Sequence, residues 1–95
     1  MPPKALLSQQ IRAARALIRW TALDLARHSA VGVATIRRAE LCEGPTVMTA
    51  ANDLAIRRAL EKAGVEFIDE EDSVGPGVRL RRPLSRNTKS SGSTT

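Results

Sequence analysis

Aromatic side chains are nearly missing from this chain of 95 residues, which has one Trp, one Phe and no Tyr. A core without rings must be filled by Leu, Ile, Val and Ala, and side chains of that kind are packed by helices. Cysteine occurs once, at Cys42, which excludes an internal disulfide and fits a reducing cytoplasm better than a stapled secreted module. Histidine also occurs once, at His28, and there is no CxxC, so no metal or cofactor site is legible. No run approaches the roughly 18 continuous apolar residues of a membrane-spanning helix. The opening "MPPKALLSQQIRAARAL" lacks the long apolar stretch ending in small residues that marks a secretory signal. Nucleophiles with a neighbouring base, glycine-rich phosphate loops and paired carboxylates are missing too, so no enzyme is expected. What remains is one small domain with one modest core, expected in the cytoplasm.

The charge that is present is unevenly placed. Residues 1–65 hold ten Lys/Arg against five Asp/Glu, whereas residues 66–95 hold five of each. The whole net charge of +5 therefore lies on the first two-thirds, which suits a polyanionic partner.

Periodicity divides the chain into short elements. Residues 1–7 are expected to be flexible, and Ser8 to cap a first helix. In that helix Ile11, Ala14, Leu17 and Ile18 share one face, with Arg12, Arg15 and Arg19 on or near the other. Thr21 and Asp24 have the spacing of a capping box, opening a second helix, "ALDLARH". "SAVG" is a corner, with Gly32 as entry to a third helix, "VATIRRAELC", which Gly44 and Pro45 end. Thr49 caps a fourth, "AANDLAIRRALEKA", with Leu54, Ile56 and Leu60 on its buried side and Gly64 as its stop. "VEFI" and "VRLR" predict two short strands joined by the turn-rich "DEEDSVGPG". The resulting domain covers residues 8–82. Residues 83–95, polar and rich in Ser and Thr, predict a disordered tail.

In this order "IRAARAL", "DLAR" and "ATIRRAE" are followed by "AIRRALEKAGVEFI" and "GVRLR". Over about residues 8–68 the chain resembles the Xre/Cro-like helix-turn-helix family, which has the fold of the phage lambda repressor and Cro. The resemblance is to its small bacterial members. It implies a mainly α domain of four or five helices with a short C-terminal β-hairpin. It also implies a third helix placed in the major groove of DNA, often in a dimer. Arg15 and Glu40 fall where family members often pair a helix-one arginine with a glutamate closing helix three. Such a pair braces the recognition helix or directs the arginine at a phosphate; the plainer reading is a surface ion pair.

On that resemblance the residues expected to meet DNA are Thr35, Arg37 and Arg38, with Val33, Ala34, Thr21 and Arg15 around them. The implied function is a sequence-specific transcriptional regulator, most simply a repressor that binds a palindromic operator as a homodimer. Several positions depart from the family pattern. Ala22 stands where Gln commonly touches the DNA backbone, Leu23 where a polar residue is common, and Gly32 and Val33 where a Ser or Thr cap and a base-reading residue are usual. Val33 can only touch a thymine methyl. Arg19 and Ala30 replace the usual glycines at the end of helix one and in the corner.

These departures keep a second function open. Ala22, Leu23 and Val33 replace hydrogen-bonding groups with apolar surface, which favours a protein partner. The chain would then be an antiactivator or co-regulator that grips a transcriptional activator without reading DNA. Trp20 is expected in the core, His28 as a helix C-cap or surface residue, and Cys42 half-buried. The acidic run of the hairpin reads as a solvated turn. A two-stranded sheet leaves open edges, so the hairpin is also expected to pack on helix four or to recruit a second protomer.

Overall fold

The computed structural model describes residues 5–83. Its elements are α1 (Ser8–Ile18), α2 (Ala22–Ser29), α3 (Val33–Leu41), α4 (Ala50–Lys62), β1 (Val65–Ile68) and β2 (Gly77–Leu80). The protein is therefore mainly helical, with a small antiparallel sheet in which Val65 pairs with Leu80 and Ile68 with Gly77. Among the described residues no helix is long and apolar enough to cross a membrane. Of the tail expected at residues 83–95, all but Pro83 lies outside the described residues.

One core takes a side chain from nearly every element: Ile11 and Ala14 of α1, Leu25 of α2, Ile36 of α3, Ile56 and Leu60 of α4, and Val65 of β1. Leu6 joins them at 1% exposure, which corrects, at that residue, the expectation that residues 1–7 are flexible; residues 1–4 lie outside the described residues. Two hydrogen bonds hold Leu6, its N–H donating to Asp53 Oδ2 (3.1 Å) and the Thr46 N–H to the Leu6 carbonyl (3.0 Å), and the Thr46 hydroxyl donates to Asp53 Oδ1 (2.8 Å). The Asp53 carboxylate, in the first turn of α4, thus ties down two segments at once.

Helix boundaries follow local chemistry in most places. Thr21 Oγ1 accepts from the Asp24 N–H at 3.0 Å while Asp24 accepts from the Thr21 N–H at 2.9 Å, so the predicted capping box of α2 is present. Thr49 Oγ1 accepts from the Asn52 N–H at the start of α4. Gly64, with φ of 108°, lets the chain turn out of α4 into β1.

Ser8 is a correction. It is the first residue inside α1, fully buried, and its hydroxyl donates to the Cys42 carbonyl. Leu7 precedes the helix, and its N–H donates to Gln10 Oε1. Gln10, 6% exposed, also donates from Nε2 to the Gly77 carbonyl (3.1 Å) and the Ile68 carbonyl (3.4 Å), joining the hairpin to α1. Leu17 departs from expectation as well. It is 40% exposed, because α1 is covered by its neighbours only along the Ile11–Ala14 line and part of Ile18.

Candidate functional site

The candidate surface is built on α2, the corner after it, and α3. Ser29 at the end of α2 is buried. Its hydroxyl donates to the Leu25 carbonyl at 2.7 Å and accepts from the Val31 N–H at 3.2 Å. Val31 then enters the core at 6% exposure. This stitch sets the angle at which α3 leaves the corner. The turn needs left-handed backbone at Ala30 (φ 61°), as the end of α1 needs it at Arg19 (φ 58°). Among the described residues these are the two non-glycine residues with positive φ.

Burial within α3 alternates with helical period. Ile36 and Ala39 face the core at 0% and 1% exposure. Ala34, Arg37, Arg38 and Leu41 form the exposed stripe, while Val33 and Thr35 are half-buried beside it. Gly32 precedes the helix without any side-chain cap. No side chain therefore caps the first amides of α3, where the partial positive charge of a helix start favours an anion.

The far end of α3 is clamped to α1. Arg15 Nε donates to Glu40 Oε2 and its Nη2 to Glu40 Oε1, both at 2.7 Å, and its Nη1 donates to the Trp20 carbonyl at 2.8 Å. The Arg15 side chain is 22% exposed and the Glu40 side chain 10%. The hydrogen bonds that Arg15 donates to Glu40 raise the Arg15 pKa above its ordinary value. Arg12 adds a donation to the Glu40 backbone carbonyl. Arg15 thus acts as a brace, with most of its donors engaged, and is set back from the group free to meet a ligand. Arg37 and Arg38 are exposed and take part in no ion pair among the described residues.

No family model and no curated protein matches this chain.

The remaining candidate residues divide. Thr21 is exposed, but its hydroxyl serves the α2 cap. Ala22 packs against the core, so of the apolar group Ala22, Leu23 and Val33 only Leu23, at 47% exposure, is openly presented. Leu41, 83% exposed at the end of the α3 stripe, is a further apolar group that helical spacing from Arg37 could have singled out. Trp20 is half-buried against the core and stacks on His28 with ring centroids 4.2 Å apart. His28 is exposed and places Nδ1 2.8 Å from the Asp24 carbonyl. Cys42 is half-buried, as expected, with its thiol against the Arg38 carbonyl.

Proposed function

We propose that the domain has the lambda repressor-like helix-turn-helix fold, with α2 and α3 as its helix pair. On this reading it is a sequence-specific DNA-binding regulator of transcription, a repressor in the simplest case. The observation that carries the proposal is the pair Arg37 and Arg38, exposed side by side on a helix fixed from behind by Ile36 and Ala39. At its end the same helix is held by the Arg15–Glu40 clamp. Unpaired guanidinium groups on a rigid helix are what phosphate and base-edge contacts require, because ordering costs are met by the fold before DNA arrives. The uncapped amides at the start of α3 supply a further phosphate contact, and Thr35 and Ala34 adjoin the arginines on the groove side. The resemblance noted in the sequence points to the same surface. In this reading the chain is a cytoplasmic binding protein, without catalysis or a cofactor.

Fluorescence polarisation against DNA upstream of the protein's own gene, over a salt series, tests this. Saturable binding that weakens steeply with salt is the expected result, with log Kd rising by about 0.9 per phosphate contact for each tenfold increase in salt. A complete lack of saturable binding at low salt would overturn it.

A second reading draws on Leu23 and Leu41, whose exposure of 47% and 83% suits an apolar contact with a protein. There the domain grips a transcriptional activator and blocks it. Capture of such an activator by a chain that binds no DNA is the outcome that would favour this function.

A further inference from the structure

The end of α4 and the open end of the hairpin meet at Gly64, whose φ of 108° turns the chain from helix to strand. Contacts fix this junction. The Arg57 guanidinium lies 4.9 Å from the Phe67 ring centroid. The Arg81 N–H donates to the Gly64 carbonyl at 2.8 Å, and Arg81 Nη2 donates to the Glu61 carbonyl at 2.7 Å. A shallow cavity of about 440 Å³ opens beside the bend, with Lys62, Arg81 and Arg82 as its basic walls and Leu80 and Pro83 as its apolar ones. That volume falls within the roughly 300–1,000 Å³ of small-ligand sites.

The positive charge of this cavity is left uncompensated by its surroundings. Lys62, Arg81 and Arg82 are exposed and take part in no ion pair among the described residues. The neighbouring carboxylates are engaged elsewhere: Glu61 pairs with Arg57 at 3.6 Å, and Glu66 accepts from Arg79 at 3.0 and 3.2 Å. The carbonyls that end a helix oppose an anion. Here they are covered, since Ala59 and Leu60 both accept from the Ala63 N–H, and Glu61 accepts from the Gly64 N–H and from Arg81. Arg81 is ordered by its two bonds to the junction, which lowers the cost of binding, and among the described residues its Nε and Nη1 donate to no protein group.

We propose that this cavity binds a small compound carrying a diphosphate group. Guanidinium groups meet phosphate oxygens through paired N–H bonds, which suits Arg81 and Arg82, and Lys62 adds a compact point charge. A single phosphate carries about −1.5 to −2 at neutral pH, so a diphosphate matches the cations of Lys62, Arg81 and Arg82 more closely. The body of the compound lies against Leu80 and Pro83. Charge along the hairpin selects a small ligand over a nucleic acid. The exposed acidic turn Asp69, Glu70, Glu71 and Asp72 lies beyond the four residues of β2, about 14 Å away at 3.4 Å per residue. A duplex laid across the hairpin sets its phosphates against these carboxylates, whereas a small ligand meets only the basic end. The cavity belongs to α4 and β2, while α3 packs on α1 and α2. The site therefore does not rest on DNA reading, and either can fail without the other.

Titration of the full chain with inorganic pyrophosphate at fixed ionic strength, followed residue by residue by amide NMR, tests the site. The Gly64, Arg81 and Arg82 amides are expected to shift saturably, with a midpoint of about 1 mM or lower, and sulfate to require roughly tenfold more. Lys62→Glu with Arg82→Glu should weaken pyrophosphate binding by roughly tenfold or more with an unchanged circular dichroism spectrum, and the milder Lys62→Gln should weaken it by a few-fold. Arg37→Ala with Arg38→Ala, on α3, should leave it unaltered. Shifts that grow without saturating, sulfate that binds as well as pyrophosphate, or folded variants at Lys62 and Arg82 with the parent's affinity overturn the proposal. So does a DNA duplex of unrelated sequence that displaces pyrophosphate from these amides, which would make the cavity a contact for nucleic-acid backbone.

Discussion

At the scale of single residues, two positions carry most of the information. Ala30 takes left-handed backbone, with φ of 61°, at the corner before α3. A side chain there costs about 1–2 kcal/mol relative to right-handed backbone. Glycine removes that cost but adds unfolded-chain entropy of about 0.4–1 kcal/mol. Ala30→Gly should thus stabilise the domain by up to about 1 kcal/mol, measured by urea denaturation; a clear loss of stability would show that the Ala30 methyl is doing packing work. Glu40 is the second position. Its carboxylate takes two charge-assisted bonds from Arg15 in a sheltered setting, with the Glu40 side chain 10% exposed. Glu40→Ala should cost about 1–3 kcal/mol, well above the roughly 0–1 kcal/mol of a surface ion pair. The more open Arg57–Glu61 pair, at 3.6 Å, is the internal comparison, and Glu61→Ala should fall in the lower range. Equal effects of the two would reduce the clamp to an ordinary surface contact.

At the scale of elements, the starts of α2 and α4 were legible in the sequence because their signals are local. Thr21 with Asp24, and Thr49 with the Asn52 amide, complete their bonds within three residues. What was not legible depends on partners far away in the chain. Ser8 has the composition of a cap, yet the Cys42 carbonyl covers it; Gln10 carries no local signal, and it holds the Ile68 and Gly77 carbonyls. Leu6 stands in a segment without periodicity, and its burial is decided by Asp53 and Thr46. The stripe of α3 was half legible: Arg37 and Arg38 follow from helical spacing, whereas the burial of Ala22 against the core and the occupation of Arg15 do not. Leu6→Ala should accordingly cost about 2–5 kcal/mol in denaturant unfolding, and a change under 0.5 kcal/mol would return this segment to the flexible terminus. Thr21→Ala should cost about 0.5–2 kcal/mol through loss of the α2 cap. The cap also has a pH signature. The Thr21 amide, then its hydroxyl, hold the Asp24 carboxyl below its ordinary range, and Arg79 does the same for Glu66. Because both folded values are depressed, their stabilisation is complete above the ordinary carboxylate pKa and is lost as pH falls through the depressed ones. Melting temperature should therefore drop on acidification below about pH 4, and less steeply in Asp24→Asn. An identical acid limb in the variant would remove Asp24 from the account.

At the scale of the whole molecule, the parts divide into a support and a working surface. α1, α4 and the hairpin enclose the core, α2 and α1 hold α3 with the Arg15–Glu40 clamp at its end, and the exposed side of α3 is the surface proposed to meet DNA. The net charge of +5 is concentrated in the first 65 residues, as the proposed binding of a polyanion requires. Paired substitutions on this surface discriminate its two possible uses. Arg37→Ala with Arg38→Ala removes cations, and Leu23→Ser with Val33→Ser removes apolar area and leaves the charge unchanged. Neither pair should disturb the fold, which circular dichroism checks first. The deciding measurement is the salt dependence of operator binding for the two variants beside the unaltered chain. The arginine pair should weaken binding and flatten the slope of log Kd against log salt by about one unit per lost phosphate contact, while the serine pair leaves the slope unchanged. An arginine variant that binds the operator with the parent's affinity and slope would contradict the assignment of α3 as the DNA-reading element.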